Sequence, residues 1–152
     1  MTVPTAGVDD APTVTPLLVL DTSALLRRYL ADRQRPLVLE AMATAAEWAA
    51  SSLARTEVQI ALHHASPSQR VQRELWAAVR DDWEAIWEIP VDGRCLARAA
   101  EIGSRYGLAV GDAVHLAAAD RLPRPLSFVT FERQQIPAAA DLGFEVISPA
   151  DF

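Results

Sequence analysis

The chain has 152 residues, a length that favours one domain with enough apolar surface for a full core. Its net charge of −6 and pI of about 5.0 differ from those of a strongly basic nucleic-acid-binding protein. All 14 basic residues are arginine, which excludes chemistry by a lysine nucleophile, and the single cysteine, Cys95, excludes an internal disulfide and a cysteine-rich zinc site.

The two ends of the chain differ in character. Residues 1–16 contain three prolines and several threonines with little apolar periodicity, and we expect a flexible tail there, followed by one domain over 17–152. No segment approaches the roughly 20 apolar residues of a membrane span, and the N-terminus lacks the basic start and apolar core of a signal peptide. A cytoplasmic protein without membrane contact is the expectation.

From residue 17 onwards, short apolar runs alternate with longer segments of helical periodicity. The first run, 17–20, predicts a buried strand, and the helix after it has Thr22 or Ser23 as its expected cap. Such alternation predicts an α/β fold, a three-layer α/β/α sandwich with a mainly parallel central sheet. The remaining predicted elements are helices over 36–47, 51–66, 68–83, 92–106, 112–120 and 132–142, and strands over 48–51, 86–91, 126–130 and 144–147.

Four acidic residues stand at similar places in this pattern. Asp21 follows the first strand, Glu57 lies about one turn inside the helix after the second strand, Asp112 opens a helix, and Glu132 lies just past the fourth strand. In a three-layer sandwich these places can converge on the carboxyl edge of the sheet. Four clustered carboxylates repel one another unless a cation joins them, and oxygen ligands of this kind suit Mg²⁺ or Mn²⁺.

A carboxylate site with a divalent cation suits the hydrolysis of phosphodiesters, because the metal lowers the pKa of bound water and stabilises charge on phosphoryl oxygens. We expect Asp21 and Asp112 to bind the metal directly. Glu57 can bind through water or accept a proton from the attacking water, and Glu132 can complete the site or hold a second ion. Each acid alone also fits a helix cap or a dipole partner, and spacing does not prove that they meet.

Several neighbouring residues can support such a site. Three hydroxyl side chains can orient waters or carboxylates: Thr22, Ser23 and Thr130. Three arginines are weak candidates for contacts with RNA phosphates, since a solvated helix face is the favoured explanation: Arg27, Arg28 and Arg55. His115 lies one helical turn after Asp112, and a supporting or core role is favoured over a catalytic one.

These residues, in this order, resemble the PIN-domain family and, within it, the VapC-like toxins of bacterial toxin–antitoxin pairs. The resemblance depends on LDTSAL at 20–25, SSLARTEV at 51–58, LAVGDAVHLA at 108–117 and FVTFE at 128–132, and on AAADLGFEV at 138–146. It implies a compact α/β/α sandwich and an endoribonuclease that depends on Mg²⁺, or on Mn²⁺. It also implies a homodimer that a cognate antitoxin inhibits. The family's four acids fall on Asp21, Glu57, Asp112 and Glu132, and the last is a departure, since aspartate is usual there.

Two other functions remain open. An aspartyl phosphatase also carries a nucleophilic aspartate after an apolar strand, but it usually has a second acid two residues later, where this chain has Ser23, and a catalytic lysine, which this chain lacks. A catalytically weak PIN-fold module that binds an antitoxin or RNA without cleavage is the main alternative to the nuclease, because Glu132 departs from the family pattern.

Overall fold

The structure is a computed structural model that describes residues 16–151, so all but the last residue of the expected N-terminal tail lies outside the described residues. Within this range, no helix is long and apolar enough to cross a membrane. The strands are β1 (Leu17–Leu20), β2 (Glu47–Ser51), β3 (Ile86–Ile89), β4 (Ser127–Val129) and β5 (Glu145–Ile147). The helices are α1 (Thr22–Tyr29), α2 (Arg35–Thr44), α3 (Ser52–Ala65), α4 (Gln69–Trp83), α5 (Gly93–Tyr106), α6 (Val110–Asp120) and α7 (Ile136–Asp141), with a 3₁₀ turn at Arg133–Gln135.

The five strands form one sheet in the order β3-β2-β1-β4-β5, and every neighbouring pair is parallel. Successive side chains of a strand point to opposite faces, so Leu18 and Leu20 pack against α1 to α4 while Val19 packs against α5 to α7. The predicted three-layer α/β/α sandwich is therefore confirmed. Both faces of the sheet are covered, as expected of a parallel sheet with nearly continuous apolar strands.

The order of the strands places a crevice beside β1. The chain runs outwards from β1 through β2 to β3 and then returns to β4 on the other side of β1, so the strand order reverses between β1 and β4. Open α/β sheets bind their ligands at the carboxyl ends of the strands where such a reversal occurs. In this chain, Asp21 follows β1 and Thr130 follows β4, so both lie at that crevice.

Helix starts differ from the predicted ones at two places that matter for the acids. Asp21 itself caps α1, because its carboxylate accepts the Ala24 N–H, and so the prediction that Thr22 or Ser23 caps this helix is wrong. The helix predicted to open at Asp112 begins two residues earlier, at Val110, which places Asp112 in the first turn. An acid there is stabilised by the positive end of the helix dipole.

Two predicted helices are too long. The helix predicted over 36–47 ends at Thr44, because Glu47 pairs with Leu17 in the sheet. The helix predicted over 132–142 is replaced by the 3₁₀ turn and the short α7. Pro137 has no N–H to donate to a carbonyl one turn earlier, so one continuous α-helix cannot form across it.

Candidate active site

The four acids predicted from the sequence line one cavity at the crevice between β1 and β4. The cavity has a volume of about 220 Å³, and its walls come from α1, α3, α6 and the segment after β4. Its acidic lining consists of Asp21, Glu57, Asp112 and Glu132. The four acids thus lie together in the folded chain, as the sequence pattern allowed.

Asp21 is a buried carboxylate whose partners all lack positive charge. It is 1% exposed, and it accepts hydrogen bonds from Ser23 Oγ at 2.7 Å, the Ala24 N–H at 2.8 Å and Thr130 Oγ1 at 2.6 Å. Burial raises the pKa of Asp21 above its ordinary value even though these hydrogen bonds and the nearby His115 act in the opposite direction. The side chain is therefore held in place without a cation to balance its charge.

Glu57 reaches the cavity from α3 and is held by two side chains. Thr22 Oγ1 donates to Glu57 Oε1 at 2.7 Å, and His115 Nε2 lies 2.7 Å from the same oxygen. The hydrogen bond from His115 is the main reason that the pKa of Glu57 falls below its ordinary value. Space for this carboxylate depends on Gly111, because a Cβ there would lie 3.1 Å from Glu57 Oε2.

Two glutamine amides bind Asp112, and one of them also binds Glu132. Gln135 is buried and donates from Nε2 to Asp112 Oδ1 at 2.8 Å. Gln134 is exposed, and its Nε2 donates to Asp112 Oδ2 at 3.1 Å and to Glu132 Oε2 at 3.0 Å. Thr130 also supports this side of the cavity, since its hydroxyl accepts the Glu132 N–H at 2.9 Å. All three predicted hydroxyls, at positions 22, 23 and 130, therefore orient acids of the cavity or their backbone.

The three candidate arginines have different surroundings. Arg27 lines the acid cavity, lies over the ring of Phe131 at 4.1 Å and donates from Nη1 to the Ser23 carbonyl at 2.9 Å. Arg28 instead binds Asp82 through two nitrogens at 2.6 and 2.9 Å, and the guanidinium of Arg55 lies 5.7 Å from the Trp83 ring. Only Arg27 of the three contributes to the lining of the cavity.

The side chains around the cavity offer the ligands of a hard cation but do not form a finished coordination sphere. Among residues 16–151, no group of three or more histidine, cysteine, aspartate or glutamate side chains is arranged to hold a metal ion. The donors are carboxylate oxygens, which Mg²⁺ and Mn²⁺ prefer, and Asp21 is buried without a cationic partner. The chemistry of the donors fits a divalent cation, and the amide of Gln134 occupies one oxygen of Asp112 and one oxygen of Glu132.

The sequence pattern did not indicate two residues of this site, whereas it indicated a supporting or core role for His115. Gln134 and Gln135 carried no signal, because amides on a 3₁₀ turn form no motif and their contact with Asp112 spans more than 20 residues of sequence. His115 did carry a signal: it lies three positions after Asp112 and therefore on the same face of α6.

Comparison with known proteins identifies the family and the fold of the chain. The model of the PIN domain family matches residues 18–140, which confirms the family resemblance predicted from the sequence. No curated protein sequence matches the chain significantly. Solved structures with the same fold include a toxin–antitoxin complex from Klebsiella pneumoniae, at 20% identity and a TM-score of 0.65, covering 89% of this chain and 99% of that one. FitAcB from Neisseria gonorrhoeae has 16% identity and a TM-score of 0.66, with the same two coverages, and VapBC-5 from Mycobacterium tuberculosis has 17% and 0.60, covering 88% and 99%.

Proposed function

The chain belongs to the PIN domain family, and from this premise and the geometry of the cavity we propose that it is a divalent-metal-dependent endoribonuclease, acting as the toxin of a toxin–antitoxin pair. The observation that carries the proposal is the convergence of four acids from separate elements on one cavity at the switch point of the sheet. An acidic cavity of this kind repels the phosphates of RNA unless a cation is present, so the cation and the substrate must bind together.

Mg²⁺, or Mn²⁺, would be held by Asp21 and Asp112 directly and by Glu57 and Glu132 directly or through water. When bound, it lowers the pKa of a water molecule and stabilises negative charge on the phosphoryl oxygens. The raised pKa of Asp21 in the metal-free chain supports this assignment. A buried carboxylate that lacks a positive partner gains more from a nearby cation than an exposed one does.

The other groups of the cavity act on the substrate water and the RNA. Glu57, whose lowered pKa keeps it ionised, accepts the proton of the attacking water. Thr22 orients Glu57, while Ser23 and Thr130 fix the direction of the Asp21 carboxylate. Arg27, which lines the cavity and pairs with Asp32 at 3.5 Å, binds a phosphate oxygen of the RNA through its guanidinium.

The proposed partners are a cognate antitoxin and a second copy of the chain. The support is that the chain covers 98–99% of the length of three solved chains. One belongs to a toxin–antitoxin complex, one to a member of the VapBC family of toxin–antitoxin systems, and one to VapBC2 from Rickettsia felis bound to a DNA fragment from the promoter. A net charge of −6 and an acid-lined cavity suit a partner that inserts a basic side chain. Co-purification of the chain with the product of a small reading frame directly upstream of its gene tests the antitoxin assignment.

A second candidate is a PIN-fold interaction module that binds an antitoxin or RNA without cleaving it. One observation favours it: the amide of Gln134 bridges Asp112 and Glu132, and no ready-made metal cluster exists among residues 16–151. In this case the acids would serve only to receive a basic group of a partner.

Cleavage of a structured RNA by the purified protein separates the two candidates. The nuclease cuts RNA with Mg²⁺ or Mn²⁺ and loses this activity with EDTA, and Asp21→Asn or Asp112→Asn lowers the rate by at least a hundredfold. Asp81→Asn, a change at an exposed acid of α4 away from the cavity, is the matched control and keeps the wild-type rate. Wild-type protein that binds RNA or an antitoxin but cuts no RNA with either metal would establish the interaction module instead.

A further inference from the structure

A buried histidine, His115, connects three elements around the acid cavity. It lies on α6, is 4% exposed, and has hydrogen-bond partners for both of its ring nitrogens. Its Nε2 lies 2.7 Å from Glu57 Oε1 of α3 and 3.0 Å from Thr22 Oγ1 of α1, and its Nδ1 lies 2.9 Å from Ser51 Oγ at the end of β2. His63 and His64, by contrast, are exposed. The ring is therefore fixed at both ends by groups from separate elements.

The surrounding donors and acceptors assign the position of the ring proton. Thr22 Oγ1 gives its hydrogen to Glu57 Oε1, so near Nε2 both oxygens can only accept, and Nε2 must carry the proton. At the other end, Ser51 Oγ already accepts the N–H of Ala54 at 3.1 Å, and its own hydrogen is free to point at Nδ1. The Nε2–H tautomer satisfies every one of these groups.

Ser51, His115 and Glu57 together resemble the arrangement of a serine hydrolase, but Ser51 cannot be a nucleophile here. It is 2% exposed and caps α3, so substrate cannot reach its oxygen. Ser51 therefore has a structural role in the core, where it holds the ring of His115, and the ring in turn holds Glu57 at the cavity. Glu57 ends the network with its side chain 38% exposed.

We propose that His115 is a positioning residue of the nuclease site, which holds the Glu57 carboxylate in the direction of the metal and the attacking water through an Nε2–H hydrogen bond. This inference rests on the proposed function. Glu57 needs such support because it lies on a helix facing an open cavity, where a glutamate side chain otherwise samples several rotamers. Partners that orient a metal-binding carboxylate typically change metal affinity or activity by about 10–100-fold when they are removed.

Three substitutions of His115 separate the contacts of its two ring nitrogens. In His115→Gln the amide nitrogen is as many bonds from the backbone as Nε2, so the donor to Glu57 is kept while the contact with Ser51 is lost. In His115→Asn the amide oxygen can take the place of Nδ1 and accept the Ser51 hydroxyl, so the contact with Ser51 is kept and the donor to Glu57 is lost. His115→Leu removes both, and His64→Gln, at an exposed position of α3, is the control.

The main measurement is the dissociation constant of Mn²⁺ by electron paramagnetic resonance on protein without RNA, with urea unfolding of each variant beside it. We expect His115→Gln and His64→Gln to stay within about threefold of the wild-type affinity, whereas His115→Asn and His115→Leu bind Mn²⁺ at least about tenfold more weakly. If the Gln and Asn variants bind Mn²⁺ equally, or if affinity follows only the loss of folding stability, His115 is a core residue and the proposal fails. Wild-type protein that binds no Mn²⁺ would instead refute the metal-dependent function itself.

A second measurement decides the proposal without a metal and without a variant. The ¹⁵N chemical shifts of the wild-type imidazole distinguish the tautomers, and we expect His115 to carry its proton on Nε2. A ring with its proton on Nδ1 alone has no hydrogen to donate to Glu57 and would overturn the proposal whatever the metal affinity.

Discussion

Replacing Asp21 by asparagine should make the metal-free protein more stable while it abolishes metal binding. The ionised carboxylate is buried among neutral donors, and its raised pKa means that the fold favours the uncharged form. Relief of such a destabilised functional group commonly adds about 0.5–2 kcal/mol to the free energy of unfolding. Asparagine keeps an oxygen for the Ala24 N–H and Ser23 Oγ, but its NH₂ faces Thr130, whose hydroxyl loses an acceptor at a cost of about 1 kcal/mol.

Because Asp21 is almost fully buried, we expect the relief at the upper end of this range, about 2 kcal/mol, which leaves a net gain of roughly 1 kcal/mol at pH 7.5 in EDTA, or about 2–4 °C in melting temperature for a domain of this size. The gain depends on pH in a defined direction. The destabilising charge of Asp21 is fully present above its raised folded pKa and disappears as the pH falls through that value towards its ordinary one, so the advantage of asparagine shrinks in acid. Urea unfolding of both proteins at several pH values measures this difference directly.

Added metal should reverse the order of stability. Mn²⁺ at 100 times its dissociation constant stabilises a protein that binds it by about 2.7 kcal/mol, which exceeds the gain of the variant, whereas Asp21→Asn should gain almost nothing. The wild type is then less stable than the variant in EDTA and more stable in Mn²⁺. A variant that is less stable than the wild type without metal, or that responds to Mn²⁺ to the same degree, contradicts the assignment of Asp21 as a metal ligand.

Two further substitutions test the shape of the cavity. Gly111→Ala places a Cβ 3.1 Å from Glu57 Oε2, so it should weaken Mn²⁺ binding, which calorimetry measures. The better helix propensity of alanine should at the same time raise the free energy of unfolding by up to about 1 kcal/mol, which urea unfolding measures. Metal affinity and stability should therefore change in opposite directions. Gln134→Ala removes the amide that bridges Asp112 and Glu132 through two hydrogen bonds, each worth about 0.5–1.5 kcal/mol. Mn²⁺ should then bind several-fold more tightly in the same titration. An unchanged affinity would show that the amide does not compete with the metal.

The sequence could predict the positions of the acids because each depends on a local pattern. A run of apolar residues that ends in Asp21 predicts both a buried strand and an acid at its carboxyl end. The alternation of strands and helices then brings such ends to one edge. Strand order was not predicted, and it decides which ends are neighbours: β4, whose end carries Thr130, lies beside β1 although about 100 residues separate them.

The contacts between side chains could not be predicted in the same way. His115 meets Glu57 only because α6 packs close to α3, so close that a Cβ at position 111 would lie 3.1 Å from Glu57 Oε2. The interruption at Pro137 was readable from the sequence, since proline cannot continue the hydrogen bonds of a helix, but the consequence for Gln135 was not. Local sequence patterns predict the helices and strands and the residues at their ends, whereas the packing of these elements decides which polar side chains face each other.

The partners of a buried carboxylate, Asp21, and of a half-buried one, Asp82, show what kind of charge the cavity can receive. Asp82 accepts two hydrogen bonds from Arg28 and one from Tyr29, and these hold its pKa below the ordinary value although burial acts to raise it. Asp21 is buried more deeply, yet hydroxyl and backbone N–H groups are its hydrogen-bond donors. Selection for stability alone would favour a guanidinium there as well, because a buried carboxylate without a positive partner is costly. The neutral shell around Asp21 orients the carboxylate and leaves its charge uncompensated, which is the state that a cation from solution, or a basic side chain of a bound partner, would compensate.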